Sequence, residues 1–424
     1  MLTINLIREN REETIKRLKI RDFNADKIIN KVLEVDQYRR NIQKIQDSKQ
    51  AELNTLSKEI GILLKNKEDK KAHIIREKTI LLKDEIKELN IKFTSAQSEL
   101  NELLVQIPNI PHKTVPHGIG AENNQLIRSG GRIPEFDDRS LAHWDLAKKY
   151  NIIDFELGTK ITGAAFPVFI GKGAKLQRAL INFFLEENEK AGYLEYLPPL
   201  LVNEESGFGT GQLPDKEGLM YAIPSDNYYL IPTAEVPVTN IYRDVILNAN
   251  DLPVKNTSYT PCFRREAGSY GKDVRGLNRV HQFDKVEIVQ IQHPEKSYET
   301  LEEMVNHVEN LVKLLELPYR IVKLCGGDMG FGSALTYDFE VYAAAQKKWL
   351  EVSSVSNFES YQANRLKLRI REPGTKKIIL AHTLNGSALA LPRIVAALLE
   401  NNQSEKGIKI PEILKKYTGF NYIP

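Results

Sequence analysis

The sequence predicts an α+β fold in which a long antiparallel α-helical coiled-coil arm precedes a domain built on a mostly antiparallel sheet. Three observations predict it. Apolar residues recur at alternating steps of four and three through Ile75, Thr79, Leu82, Ile86, Leu89, Phe93, Ala96, Leu100, Leu103 and Ile107, which is the seam of a coiled coil. A stretch rich in proline, glycine and histidine breaks that pattern at residues 108–118. Beyond it, helix-periodic and strand-like segments alternate irregularly, with strands clustered at 228–289 and 320–384.

The first limb of the arm repeats the spacing with Ile28, Val32, Val35 and Ile42, then Leu53, Leu56, Ile60 and Leu63, while Arg39, Gln46 and Lys49 interrupt it midway. Residues 65–71 carry no apolar side chain, so a short turn and an antiparallel hairpin are the economical solution. A limb of about 35 residues extends roughly 50 Å at the helical rise. Arg39, Arg40, Lys44 and Lys58 on the first limb, and Arg76, Lys83, Lys87 and Lys92 on the second, could meet phosphates, yet acidic neighbours nearly cancel them. Periodicity alone favours a structural or oligomerising coiled coil over a phosphate-binding one. The expected division is an arm over residues 1–107, a linker over 108–118 ending the second helix, and a second domain over 119–424.

Composition narrows the function classes. A chain of 424 residues exceeds one ordinary core, so two domains are expected. The composition is 42% hydrophobic and 27% charged, with no run near the roughly 20 apolar residues of a membrane span. The N-terminus lacks the basic start and apolar stretch of a signal peptide, so cytoplasmic residence is expected. Cys262 and Cys325 are the only cysteines; they exclude a disulfide framework or cysteine-rich zinc site and are expected as buried small hydrophobes. A net charge of +3 means that nucleic-acid binding would rest on local arrangement and shape. Neither a Walker A sequence nor an ordered Gly-x-Gly-x-x-Gly occurs, which argues against P-loop and dinucleotide chemistry.

The chemistry concentrates in Phe263-Arg264-Arg265-Glu266-Ala267-Gly268-Ser269-Tyr270-Gly271, running on through Arg275, Arg279 and His281-Gln282-Phe283 to Glu287. Strand-like residues 258–264 and 280–289 flank a loop rich in glycine and charge, so one hairpin is expected to hold these groups. Side chains two apart share a strand face, which would aim Arg264 and Glu266 into one site and line up Phe283, Lys285 and Glu287 on the partner strand. Arginine suits a phosphate, glutamate an adenine amino group or a substrate ammonium, and phenylalanine a base plane.

Further segments supply polar groups. Residues 207–214, Gly-Phe-Gly-Thr-Gly-Gln-Leu-Pro, read as a flexible turn because three glycines permit unusual conformations. Thr233-Ala234-Glu235 would present a hydroxyl and a carboxylate at a strand end. Glu351-Val352-Ser353-Ser354 could ligate a hard cation such as Mg²⁺ at another strand end. Arg393 stands at the start of an apolar helix, where cation and backbone dipole together suit a phosphate.

In the detail Phe-Arg-x-Glu-Ala-Gly-Ser, then Arg-Gly-Leu-x-Arg-Val-His-Gln-Phe-x-Lys-Val-Glu, the hairpin resembles motif 2 of the class II aminoacyl-tRNA synthetases, and among them the seryl-tRNA synthetases of bacterial type. The resemblance extends from the opening Met-Leu-x-Ile-Asn-Leu-Ile-Arg-Glu-Asn to Asn385-Gly386-Ser387 near the end. It implies a class II antiparallel-sheet catalytic domain that activates L-serine with ATP and Mg²⁺ and loads tRNA(Ser), with tRNA(Sec) left open as a second acceptor. It also implies that the arm holds the tRNA, and that the helix and strand within residues 171–202, similar to motif 1, make a homodimer.

The resemblance further implies site residues. Arg264 and Arg393 would be catalytic, and ATP would meet Arg264, Arg265, Glu266, Arg279, Val280, Phe283 and Arg393 together with Glu351, Val352, Ser353 and Ser354. Glu351 and Ser354 would also hold the metal, while Thr233, Ala234, Glu235, Glu287 and Ser387 would bind serine. The chain departs from the family at Asp215-Lys216-Glu217-Gly218, where Lys-Phe is usual, and at Ala388 and Leu391-Pro392 in the segment resembling motif 3. Two other readings stand: a synthetase-like ligase that loads a different carrier, and an inactive RNA-binding scaffold.

Overall fold

The structure, a computed structural model, describes residues 1–135, 140–215, 218–266 and 275–424. Residues 267–271 of the hairpin loop, and Lys216 and Glu217 of the 207–218 segment, lie outside the described residues. The chain divides into two units, one of Met1–Lys19 and Phe23–Pro108 and one of Ile20–Asp22 and Asn109–Pro424.

The first unit is dominated by two long antiparallel helices, Asp26–Lys65 and Asp69–Val105. Val32, Val35, Ile42 and Leu53 are buried on the first, and Thr79, Leu82, Ile86, Ala96 and Leu100 on the second, so most of the expected seam is the seam. Ile29 and Leu104 take the buried positions at the base of the arm, with Ile28 and Leu103 only half-buried, because a 3.6-residue helix drifts against a 3.5-residue repeat. Polar pairs tie the limbs where the seam is interrupted: Gln46 donates to Asn90 at 2.7 Å, and Lys78 lies 2.8 Å from Glu52. Arg39, a candidate phosphate contact, turns inward instead. Its guanidinium lies 2.9 Å from the buried Asp36 carboxylate and 5.8 Å from the Phe93 ring centroid, and Arg8 meets the other Asp36 oxygen at 3.3 Å.

In the second unit, the largest sheet among the described residues has eight strands. In chain order they are β1 (Gln125–Gly130), β2 (Leu194–Glu195), β3 (Val254–Phe263), β4 (Gln282–Gln292), β5 (Tyr319–Lys323), β6 (Leu335–Ala343), β7 (Lys348–Asn357) and β8 (His382–Ala390). They lie in the order β1-β5-β6-β7-β8-β4-β3-β2. The pairings are antiparallel except that of β2 with β3 at one edge. Alternation buries one face, as in β6, where Phe339, Val341 and Ala343 are fully buried. Helix Ser297–Leu314 contributes Leu301, Met304, Val305, Val308, Leu311 and Val312 to that core at helical spacing. Helix Lys172–Lys190 adds the expected Leu176, Leu180, Phe183 and Phe184.

The stretch expected as a linker is held within the second unit from Asn109 onward. Asn109 is buried, and its amide donates to the carbonyls of Gly332 at 2.9 Å and Phe358 at 2.8 Å; Val115 joins the main core. The later backbone of this stretch is spent on the same unit: the His112 N–H donates to the Ala334 carbonyl at 2.7 Å, and the Gly326 N–H to the Pro116 carbonyl at 3.0 Å. Both cysteines are buried thiols, as expected.

Residues 204–210 are a helix, not the flexible turn expected from the glycines. Asn203 caps it by accepting from the Ser206 N–H at 2.9 Å. Gly207 and Gly209 are there for close packing: a Cβ on Gly207 would stand 2.8 Å from the Leu213 side chain, and one on Gly209 2.6 Å from Leu366. Gly211, at φ +95°, is the left-handed residue that ends the helix.

Candidate active site

The hairpin forms, with β3 and β4 in register from Val254–Ile291 to Phe263–Gln282. β3 ends at Phe263, so Arg264 and Glu266 leave the strand. Glu266 adopts φ +48°, and the two side chains do not share a strand face as expected. They are placed by other contacts. Arg264 and His281 exchange backbone and side-chain bonds: the Arg264 N–H donates to the His281 carbonyl at 2.9 Å, and His281 Nδ1 donates to the Arg264 carbonyl at 3.0 Å. The Arg264 guanidinium thereby stands 5.4 Å from the Phe283 ring centroid. The Glu266 carboxylate pairs with Arg279 Nε at 3.1 Å, across the loop from one limb to the other.

A second cluster lies deeper on β4. Lys285, Glu287, Thr233, Glu235 and Ser387 are all buried. Lys285 Nζ donates to the Thr233 hydroxyl at 2.8 Å and lies 2.7 Å from Glu287 Oε2. Ser387 on β8 is the cross-strand partner of Glu287, and its hydroxyl donates to the same carboxylate at 3.3 Å. Glu235 opens the short helix Glu235–Asn240 and does not sit at a strand end. Its Oε1 accepts from Gln362 at 2.6 Å. Burial, reinforced by the Glu287 charge, pushes the Glu235 carboxyl up to about 7. Ala234 packs with Val238 and Val289 in a small apolar cluster and contributes no polar group.

The third cluster gathers at the start of helix Leu391–Asn401, whose first turn carries Pro392 and Arg393. Arg393 Nε donates to the Asn278 carbonyl at 3.0 Å and Nη1 to the Glu351 carbonyl at 2.8 Å. Glu351 lies inside β7 and not at its end as expected. A bulge there lets β7 slip one residue past β6, so that Phe339 faces Ser353 while Glu340 faces Glu351. Ser354 faces Asp338 across the same ladder. Asp338 is buried deeply enough that desolvation, with the Glu351 charge, raises its carboxyl well above the usual range. Ser353 donates instead to the Ser387 carbonyl at 2.5 Å, and Val352 and Val280 are buried. Arg265 is exposed, its N–H bonded to the Leu219 carbonyl at 2.9 Å.

These clusters gather around one sheet an arginine over an aromatic face, a buried carboxylate pocket with one lysine, and an arginine beside the Glu351 carboxylate. The profile of the tRNA synthetase class II core domain (G, H, P, S and T) matches residues 221–402. That of the seryl-tRNA synthetase N-terminal domain matches residues 1–111. A serine--tRNA ligase of Salinibacter ruber is 49% identical over 99% of this chain and 98% of its own, and one of Methylacidiphilum infernorum is 46% identical over the whole of both. The chain belongs to the seryl-tRNA synthetase family. Among solved structures it is similar to the seryl-tRNA synthetase of Pyrococcus horikoshii complexed with ATP. That likeness has a TM-score of 0.91 at 34% identity and covers 99% of both chains.

Two residues of this synthetase's pocket were not singled out from the sequence. Lys285 was seen only as a member of the β4 row, and its contact with Thr233 comes from another part of the chain. Gln362, which holds Glu235, sits in helix Ser360–Leu366 with no local signal at all. Its own Oε1 accepts from the Thr383 hydroxyl at 2.7 Å, which fixes the amide with its N–H toward Glu235.

Proposed function

We propose that this member of the family activates L-serine with ATP to seryl-adenylate and pyrophosphate, then passes the seryl group to the terminal adenosine of tRNA(Ser). The observation that carries the serine assignment is the buried constellation of Glu287, Thr233, Ser387 and Lys285. All four side chains are polar and buried, and Lys285 is paired with the Glu287 carboxylate. The ammonium of serine meets Glu287 through charge-assisted hydrogen bonds, and Ser387 and Thr233 answer its hydroxyl and amine. A site built to hydrogen-bond a hydroxyl rejects alanine because its own polar groups would be left unpaired.

ATP then lies along the hairpin, with Phe283 as the plane beneath the adenine, Glu266 at its amino group, Arg264 at the α-phosphate and Arg393 at the γ-phosphate. Neither step needs a protein nucleophile. The serine carboxylate attacks the α-phosphate in line, and Arg264 meets the charge that grows there, so catalysis is positioning and electrostatics. Asp338 Oδ1 is buried without a hydrogen-bond partner beside Glu351 and Ser354, a donor set that fits a hard divalent cation. Glu351 and Ser354, with Asp338 facing Ser354 across the ladder, would hold Mg²⁺, which when bound would neutralise phosphate charge. Among the described residues no group of three or more His, Cys, Asp or Glu side chains forms a metal cage. Its remaining ligands would be water and phosphate oxygens, as is usual for Mg²⁺.

The long helical arm is assigned to the tRNA, since RNA helices are recognised largely through shape and backbone. A homodimer is supported by the edge strand β2 and the segment just after it, where Leu194 is 62% and Leu197 82% exposed. Among the described residues no helix is long and apolar enough to cross a membrane. The acceptor tRNA(Sec) stays with tRNA(Ser) as a second candidate.

ATP/pyrophosphate exchange with each of the 20 amino acids, followed by transfer of the activated residue to tRNA, tests the reading. Serine should support the fastest exchange, and tRNA(Ser) should accept it. Faster exchange with threonine, proline or histidine would overturn the serine assignment.

A further inference from the structure

A buried polar network outside the three clusters ends on the backbone that carries them. Helix Leu391–Asn401, which presents Arg393 in its first turn, carries Glu400 in its last. Glu400 is fully buried, yet its carboxylate is fully engaged. Oε1 accepts from His143 N at 3.0 Å, from His143 Nδ1 at 2.8 Å and from Gln346 Nε2 at 2.8 Å. Oε2 accepts from the backbone N–H groups of Ala345 and Gln346, both at 3.1 Å. Its two side-chain partners each reach the returning limb of the hairpin loop. His143 Nε2 accepts from the Leu277 N–H at 2.9 Å, and Gln346 Oε1 accepts from the Asn278 amide at 2.7 Å.

The Leu277 bond fixes the chemistry of the imidazole. A ring nitrogen that accepts a backbone N–H carries no proton, so the His143 proton sits on Nδ1 and is donated to Glu400, whose charge holds that tautomer. His143 and Glu400 are both fully buried, which makes the two bonds costly to leave unmade. The fit is close: Gly276, at φ +67°, leaves space that a Cβ would fill to within 2.3 Å of His143 Nε2.

Leu277 and Asn278 are the residues through which this network touches the proposed ATP site. The Asn278 carbonyl accepts from Arg393 Nε at 3.0 Å, and the next residue, Arg279, pairs with Glu266 at 3.1 Å. We propose that His143, oriented by Glu400, is a positioning residue for ATP: it pins the returning limb of the loop so that Arg279, Glu266 and Arg393 keep their mutual geometry. Serine should be indifferent to it, because the Lys285, Glu287 and Thr233 contacts involve none of these atoms.

The inference rests on the ATP reading of Arg279, Glu266 and Arg393, and the experiment separates the two. Two variants divide the functions of the ring. In His143→Gln the amide can still accept from Leu277 and donate toward Glu400; in His143→Asn the shorter amide reaches Glu400 but not Leu277. Pyrophosphate exchange is measured over ATP and over serine, with thermal denaturation alongside. His143→Asn should raise KM for ATP about tenfold, the scale of one buried donor left unpaired, with KM for serine unchanged, and His143→Gln should recover most of the loss. Gly276→Ala, which drives a methyl against His143, should reproduce the rise and carries the test if either histidine variant fails to fold. Equal changes in both KM values, or a lowered melting temperature with both KM values native, would overturn the positioning role. Native KM values in Arg393→Ala would instead overturn the ATP reading beneath it.

Discussion

The Lys285 ammonium lies 2.7 Å from Glu287 Oε2, two residues along the same strand, and both side chains are almost wholly shielded from water. Glu287 also charges the surroundings of Glu235, so the lysine is the cation that lets two carboxylates share a dry pocket. Breaking such a pair strands a buried charge, at about 3 to 5 kcal/mol. Lys285→Met should therefore destabilise the second unit by that order in denaturant unfolding and raise KM for serine. Adding Glu287→Gln should restore part of the lost stability, since the stranded charge is then gone. A Lys285→Met protein as stable as the parent would show that the pair does not hold the pocket.

The pH dependence of stability follows from Glu235. Its carboxyl is raised from 4.5 to about 7 by burial first and the Glu287 charge second. The folded chain therefore binds this proton more tightly than the unfolded chain, and stability falls as pH rises through that window, then levels off above it. Glu235→Gln keeps an oxygen for Gln362 and removes the titration. Its stability relative to the parent should improve by about 3 kcal/mol between about pH 4.5 and pH 7.5. Parallel stability curves for the two proteins across that range would contradict the assignment.

Arg264 is held by backbone exchange with His281 and by the Phe283 face, so its removal should not unfold the hairpin. Arg264→Ala should slow adenylation by about 10² to 10³, the usual effect of losing one preorganised donor at a developing charge. Single-turnover adenylate formation checks it. An unchanged rate with native circular dichroism would remove Arg264 from the transition state.

The arm can be shortened without disturbing its base. Replacing residues 41–90 with a short glycine-serine linker leaves the Arg8 and Arg39 contacts to Asp36 in place. Serine-dependent pyrophosphate exchange should persist, while aminoacylation at low tRNA concentration collapses. In the intact protein, tRNA binding should weaken linearly on a log-log plot as salt rises. Full charging by the shortened protein would leave the arm a structural coiled coil.

What the sequence determined by itself was whatever repeats or alternates locally. The arm was legible because a 3.5-residue period constrains every turn of both helices, and the β3–β4 hairpin because its alternation and its charged loop are contiguous. Arg393 at a helix start was legible for the same reason. Tertiary structure decided what depends on distant register. The slip of β7 past β6 set Glu351 opposite Glu340. Close approach of Leu213 and Leu366 converted an apparently flexible glycine segment into a packed helix. Gln362 reaches Glu235 across 127 residues and His143 reaches Glu400 across 257. Such partners leave no mark on their own neighbourhoods, because a buried hydrogen bond is specified by where two backbones meet and not by the residues beside either one.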